Sequence, residues 1–338
     1  MQIDDTIRFL SKLSLAKGVN AMKLLSSFYL AKARSQQQPW GQPMTLSVEP
    51  TTACNLRCPE CPSGLRSFTR PTGTLSHDLF EKTIDETADH LMYLIFYFQG
   101  EPYIHPSFLK MVNYAHRKNI YTITSTNGHF LNDQNAEETV RSGLDRLIIS
   151  LDGTTQEVYE QYRKEGSLDN VIQGTKNVVR WKRKLQSKTP HIIFQFLVVK
   201  PNEHQIDKAK DLAKELGVDE VKYKTAQLYD YKNGNPLMPD QEKYSRYKKD
   251  ETGTYQLKTS VTDECWKLWH ASLMTWDGQI LPCCFDKDAQ HPMGDMTKDS
   301  FRDIWRSDRY RSFRVRLSAG RDNIDICQNC SEGCKVWA

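Results

Sequence analysis

Residues 49–62 read Glu49-Pro50-Thr51-Thr52-Ala53-Cys54-Asn55-Leu56-Arg57-Cys58-Pro59-Glu60-Cys61-Pro62, three cysteines at C-x-x-x-C-x-x-C spacing directly behind a β-type run at 46–49. Further β-type runs at 91–98, 121–125, 146–151, 192–199 and 220–225 alternate with segments of helical periodicity. In one of these, Phe108, Met111, Val112 and Ala115 stand at i, i+3, i+4 and i+7, behind Pro106 and Ser107 as start signals. Six βα units predict an α/β fold, a partial (β/α)6 barrel of parallel strands. In such barrels the chemistry sits at the C-terminal ends of the strands, where the first cysteine group lies.

A chain of 338 residues with 38% hydrophobic content can bury a core, with length for one large domain and a smaller appendage. No apolar run approaches the roughly 18 residues of a membrane-spanning helix, and no signal-peptide pattern opens the chain, so a cytoplasmic location is expected. Nine cysteines make an odd disulfide set, and they cluster: three at 54–61 and six in the last quarter, as metal-binding thiols do. Residues 1–34 hold six Lys/Arg against Asp4 and Asp5, which accounts for the whole net charge of +4. The balanced remainder suggests no nucleic-acid surface. Residues 5–34 read as two short amphipathic helices broken near Gly18, which either pack on the barrel or make peripheral contact with the inner face of a membrane. The expected division is an N-terminal helical segment and linker at 1–43, the barrel at 44–235, and a linker with a cysteine-rich domain at 236–338.

Three thiolates leave one iron of a four-iron cluster open, although a zinc site or three unrelated core thiols would satisfy the same residues. The strand ends add Tyr97-Phe98-Gln99-Gly100-Glu101-Pro102, Thr124-Ser125-Thr126-Asn127-Gly128 and Ile149-Ser150-Leu151-Asp152-Gly153. Each alone is an ordinary turn; their order behind the cysteines resembles the radical S-adenosylmethionine (SAM) superfamily. The resemblance implies a catalytic 4Fe-4S cluster on Cys54, Cys58 and Cys61, SAM as cofactor, and a flavodoxin- or ferredoxin-type reductant. It also implies a SAM site of Gly100, Glu101, Ser125, Asn127, Ser150, Asp152 and Arg163. Glu101 would face the SAM amino group, Arg163 its carboxylate, and Ser150 and Asp152 the ribose. The sequence departs from the family pattern at Glu60, where an aromatic residue is usual, and at Gln99, where a glycine is usual.

Toward the C-terminus, Cys265, Gly278-x4-Cys283 and Cys327-x-x-Cys330 surround a hairpin signal at 272–281. This resembles the SPASM/Twitch extension of the same superfamily and implies one auxiliary 4Fe-4S cluster on Cys265, Cys283, Cys327 and Cys330, with Cys334 as the alternative ligand. A structural zinc would meet the same spacing. Asp286 is a candidate catalytic base or a loop cap. The implied activity is hydrogen abstraction by a 5′-deoxyadenosyl radical, in a net oxidation of a small hydroxylated molecule with the auxiliary cluster as electron acceptor. Side-chain maturation of a peptide or protein, modification of a lipid-linked substrate at a membrane surface, and a zinc-bound module without activity are the alternatives.

Overall fold

The computed structural model describes residues 3–34, 37–259, 261–333 and 336. Strands β1 (Thr45–Val48), β2 (Tyr93–Ile95), β3 (Tyr121–Thr126), β4 (Arg146–Ser150), β5 (His191–Val198) and β6 (Glu220–Thr225) lie side by side in chain order, all parallel. Helices join them, and the 108–115 spacing forms the buried face of the helix Phe108–Arg117. Leu46, Leu94, Leu147, Ile149 and Phe194 are fully buried in one core, which makes the register of each strand costly to slip. The predicted partial barrel of six parallel strands is the observed architecture.

A hairpin of β7 (Tyr247–Lys249) and β8 (Tyr255–Leu257) follows β6, in a stretch whose polar, lysine-rich sequence gave no strand signal. The expected hairpin near 272–281 forms as β9 (Ala271–Met274) and β10 (Gln279–Leu281), with Gly278 in the left-handed conformation its turn requires. β9 also pairs in parallel with β1, Thr45 opposite Ala271, and β10 pairs with β11 (Gly294–Asp295). The C-terminal cysteine region thus continues the barrel sheet into nine strands, and β1 is not left as an open edge.

The N-terminal helices are α1 (Ile3–Ser11) and α2 (Leu15–Arg34); the break falls at 12–14, and Gly18 lies inside α2. Their buried anchors are polar. Asp5 accepts from the Tyr121 hydroxyl and pairs with Arg146, Lys12 donates to Asp145 (2.5 Å) and the Ile120 carbonyl (3.0 Å), and Lys17 donates to the Asn119 carbonyl (2.6 Å). Phe9 stacks on Tyr93 at 4.5 Å. These contacts fasten the helices to the N-terminal ends of β3 and β4, opposite the cysteine loop. The second half of α2 packs Leu24 and Phe28 against Trp266 and Trp269. Among the described residues, no helix is long and apolar enough to cross a membrane.

Candidate active site

The first cysteine loop is held by main-chain bonds to the strand ends above it. Glu101 N donates to the Ala53 carbonyl (2.8 Å), Gly100 N to Ser63 Oγ (2.8 Å) and Arg57 N to the Lys164 carbonyl (3.1 Å). Gly100 has φ +73°, and a Cβ there would sit 2.1 Å from the Thr51 carbonyl, so only glycine lets the β2 end approach the loop. Leu56 and Cys58 belong to an apolar layer with Tyr162, Val199 and Leu228, against which Cys54 and Cys61 pack. Burial pushes the Cys54 thiol up to about 11 and raises Cys58 as well. Donors point at the sulfurs: Leu56 N at 3.5 Å and Asn127 Nδ2 at 4.0 Å from Cys54 Sγ, and Arg163 Nη1 at 3.7 Å from Cys58 Sγ. One buried and two half-buried thiols packed on an apolar layer, with N–H groups aimed at Cys54 and Cys58, are a donor set suited to thiolate ligation of an iron–sulfur cluster.

Two residues expected to face SAM are tied into the strand ends. The Glu101 carboxylate accepts from Thr126 Oγ1 (2.7 Å), Asn127 N (2.7 Å) and Tyr103 N (3.2 Å) and is 2% exposed, so it ties the β2 end to the β3 end. Burial pushes its pKa up to about 7. Asp152 is equally closed: one oxygen accepts from Leu197 N (2.7 Å) and the other from Arg163 Nε (2.5 Å). Arg163 spends Nε on Asp152 and Nη1 on Cys58, leaving the Nη2 edge of its fork outside those bonds. Ser150 is buried and Ser125 half-buried at the ends of β4 and β3, and Asn127 Nδ2 bonds Asn55 Oδ1 (2.7 Å) in the cysteine loop. Glu60 accepts from Tyr229 N (2.9 Å), drawing the segment after β6 over the loop, and Gln99 Oε1 lies 3.9 Å from Cys61 Sγ. Neither bond was legible beforehand, because both join segments remote in sequence.

In the C-terminal set, Arg321 gathers the chain around the thiols. Its guanidinium reaches Cys330 Sγ (3.9 Å) and the Glu332 (3.1 Å) and Glu264 (2.8 Å) carbonyls. A Cβ on Gly333 would lie 2.5 Å from Cys265 Sγ, so the Gly333 backbone closes directly over that sulfur. Burial raises the Cys265 thiol and pushes Cys327 up to about 12, with Arg321 opposing both shifts. Cys334 lies outside the described residues. Among the described residues, no three His, Cys, Asp or Glu side chains close on a single metal ion. Asp286 is 1% exposed, and its two oxygens accept from Gln290 N (2.7 Å) and His291 N (2.9 Å), the bonds of a loop cap.

Two spaces adjoin these groups. A cavity of about 260 Å3 is walled by Ser47, Tyr97, Gln99, Lys267, Cys283 and Cys284, and so runs from the β2 end to two cysteines of the C-terminal set. A more open polar groove of about 810 Å3 lies between Pro62, Tyr229, Lys232, Asp286 and Asn329. Lys287 lines both, with Nζ 3.1 Å from the Tyr229 hydroxyl.

Residues 48–194 match the sequence model of the radical SAM superfamily and residues 265–331 that of the SPASM iron–sulfur cluster-binding domain. The chain belongs to the radical SAM superfamily and carries a C-terminal SPASM domain; it is a radical-based modifying enzyme, with SAM, a catalytic 4Fe-4S cluster and auxiliary iron–sulfur as its cofactors. It is 26% identical to the tungsten-containing aldehyde ferredoxin oxidoreductase cofactor-modifying protein of Pyrococcus furiosus over 315 residues, covering 80% of this chain and 82% of that protein. It is 28% identical to the PqqA peptide cyclase of Gluconobacter oxydans over 202 residues, 59% of this chain and 54% of the relative. In fold it is similar to Streptococcus suis SuiB bound to S-adenosylmethionine, with TM-score 0.64 and 15% identity over 90% of this chain and 76% of that one. It is also similar to BtrN in complex with AdoMet and 2-DOIA, with TM-score 0.51 and 16% identity over 86% and 93%.

Proposed function

We propose that this enzyme carries out a net oxidation of a small hydroxylated molecule seated at the strand ends. The observation that carries the reading is the cavity whose wall joins Gln99, beside Cys61, to Cys283 and Cys284. Cys54, Cys58 and Cys61 would hold the catalytic cluster, and Cys265, Cys283, Cys327 and Cys330, or Cys334 in place of one of them, the auxiliary cluster. When bound, these groups supply the 5′-deoxyadenosyl radical that removes a substrate hydrogen and an acceptor for the second electron. The chain's own residues bind and orient. Arg163, fixed by Asp152, directs its free edge toward the SAM carboxylate, and Glu101 holds the β2 and β3 ends at the spacing that SAM spans. Gly100, Ser125, Asn127 and Ser150 line that same face, and Lys287 offers an ammonium to substrate hydroxyls. The apolar layer around Leu56 excludes water from the thiols.

A second reading, maturation of a peptide or protein side chain, is favoured by the 810 Å3 groove and by the similarity to the PqqA peptide cyclase. Family membership removes the zinc-bound module without activity. Anaerobic incubation with SAM, a flavodoxin or ferredoxin reductant, and panels of polyols and peptides separates the two. Substrate-dependent 5′-deoxyadenosine with a polyol product lighter by two hydrogens is expected. Turnover of peptides alone, or product of unchanged mass, overturns the oxidation of a small molecule.

A further inference from the structure

The N-terminal helices are amphipathic the wrong way round for helices that only pack on a barrel. Their buried anchors are Asp5, Lys12, Lys17, Asn20 and Ser27 as well as Leu24 and Phe28, while large apolar side chains face outward. On α1 these are Ile3 (78% exposed), Ile7 and Leu10, at i, i+4 and i+7. On α2 they are Leu15 (86%), Val19 and Met22 (63%), again at i, i+4 and i+7, followed by Tyr29 and Leu30. With Trp40, these two helices and their exit supply nine of the twelve large hydrophobic side chains exposed among the described residues, so the exposure is concentrated rather than scattered. The anchors Asp5, Lys12 and Lys17 all run to the same end of β3 and β4, so both stripes face away from that end.

Positive charge lies next to this apolar face. A pocket of about 530 Å3 opens beside the stripe, lined by Lys23, Arg302 and Arg306 with Trp40 on it; its one carboxylate, Glu86, accepts from Phe301 N (2.7 Å), and among the described residues no ion pair joins it or another carboxylate to the three cations. Lys23 lies four residues after Val19 and shares its helix face. Trp40 is half exposed and fixed to α2 by its N–H on Ser27 Oγ (3.2 Å). An apolar stripe, interfacial aromatic side chains and adjacent unpaired cations are what a bilayer surface with anionic headgroups takes up. We propose that the outward faces of α1 and α2, together with the Lys23–Arg302–Arg306 pocket, dock this enzyme on an anionic lipid surface.

The test is co-sedimentation of the full-length, anaerobically reconstituted protein with phosphatidylcholine vesicles and with vesicles carrying phosphatidylglycerol as well. The expected result is binding to the anionic vesicles, weakened at least about tenfold by Leu15→Ser/Met22→Ser. Arg302→Glu/Arg306→Glu should erase the preference for anionic vesicles. All four side chains are exposed, so unfolding temperature and iron content should match wild type, and a variant failing that control is replaced by Ile7→Ser/Val19→Ser. Wild-type protein that stays in the supernatant with both vesicles overturns the proposal, as do variants that bind like wild type. A wild-type dimer that Leu15→Ser/Met22→Ser converts to monomers, without vesicle binding, assigns the face to self-association and overturns it too.

Discussion

Replacing Glu101 by alanine removes a carboxylate that accepts from Tyr103 N, Asn127 N and Thr126 Oγ1 in a site closed to solvent. The Thr126 hydroxyl can rotate to another acceptor, but two main-chain N–H groups are left buried and unpaired, at about 1–3 kcal/mol each. Burial already disfavours the Glu101 charge, as its raised pKa shows, and relief of that cost offsets part of the loss. The net destabilisation is about 2–5 kcal/mol. At roughly 2.1 cal/mol/K per residue, a chain of 338 residues loses about 1.4 °C of Tm per kcal/mol, so the shift is about 3–7 °C. Glu101→Gln should fall between, because its amide keeps one acceptor and turns a donor on another donor. The assay is anaerobic calorimetry beside a SAM titration, with affinity expected to weaken as Tm falls. A Glu101→Ala protein that unfolds at the wild-type temperature while losing SAM affinity would mean that the carboxylate touches SAM, and the positioning role would fail.

Three further outcomes follow from buried groups. Asp286→Asn keeps one acceptor for the loop it caps and should leave turnover within about threefold of wild type; a loss beyond about 100-fold at unchanged Tm would restore the general-base role. Lys12→Met leaves Asp145 buried beside Thr122 alone and should cost about 3–5 kcal/mol in urea unfolding, with at least about 1 kcal/mol recovered in Lys12→Met/Asp145→Asn; strict additivity would deny the pairing. Burial, then the Lys12 charge, lowers Lys17 to about 8 from 10.5, so between those values the folded chain binds fewer protons than the unfolded one. Its penalty is full below about pH 8 and relieved as pH rises toward 10.5, so wild type should gain stability relative to Lys17→Met across that window; a constant difference contradicts the assignment.

The strands and the cysteine groups were legible because each is written in a local pattern. The run 220–225 is β6 to the residue, and the 108–115 spacing is the buried face of its helix. What escaped was decided by partners far along the chain. The parallel pairing of β9 with β1 joins residues 271–274 to 45–48, and no local signal distinguishes that from a separate hairpin. Glu101 and Asp152 carry the residue types of a ligand site, yet their oxygens are taken by Asn127, Thr126, Leu197 and Arg163, donors that only folding brings near. The N-terminal helices misled for a related reason. Apolar spacing announces an amphipathic helix but not which face turns inward, and here Lys12 and Lys17 turn in because Asp145 and the Ile120 and Asn119 carbonyls wait for them.

SAM cleavage by this enzyme is proposed to depend on a cluster held by Cys54, Cys58 and Cys61. The direct measurement compares iron content, absorbance near 400 nm (about the charge-transfer region of iron–sulfur proteins) and reductive 5′-deoxyadenosine formation in anaerobically reconstituted wild type and the Cys54→Ala/Cys58→Ala/Cys61→Ala variant. The account predicts a loss of about four irons, a residual chromophore on the C-terminal cysteines, and no 5′-deoxyadenosine from the variant. Unchanged iron together with intact SAM cleavage would contradict it.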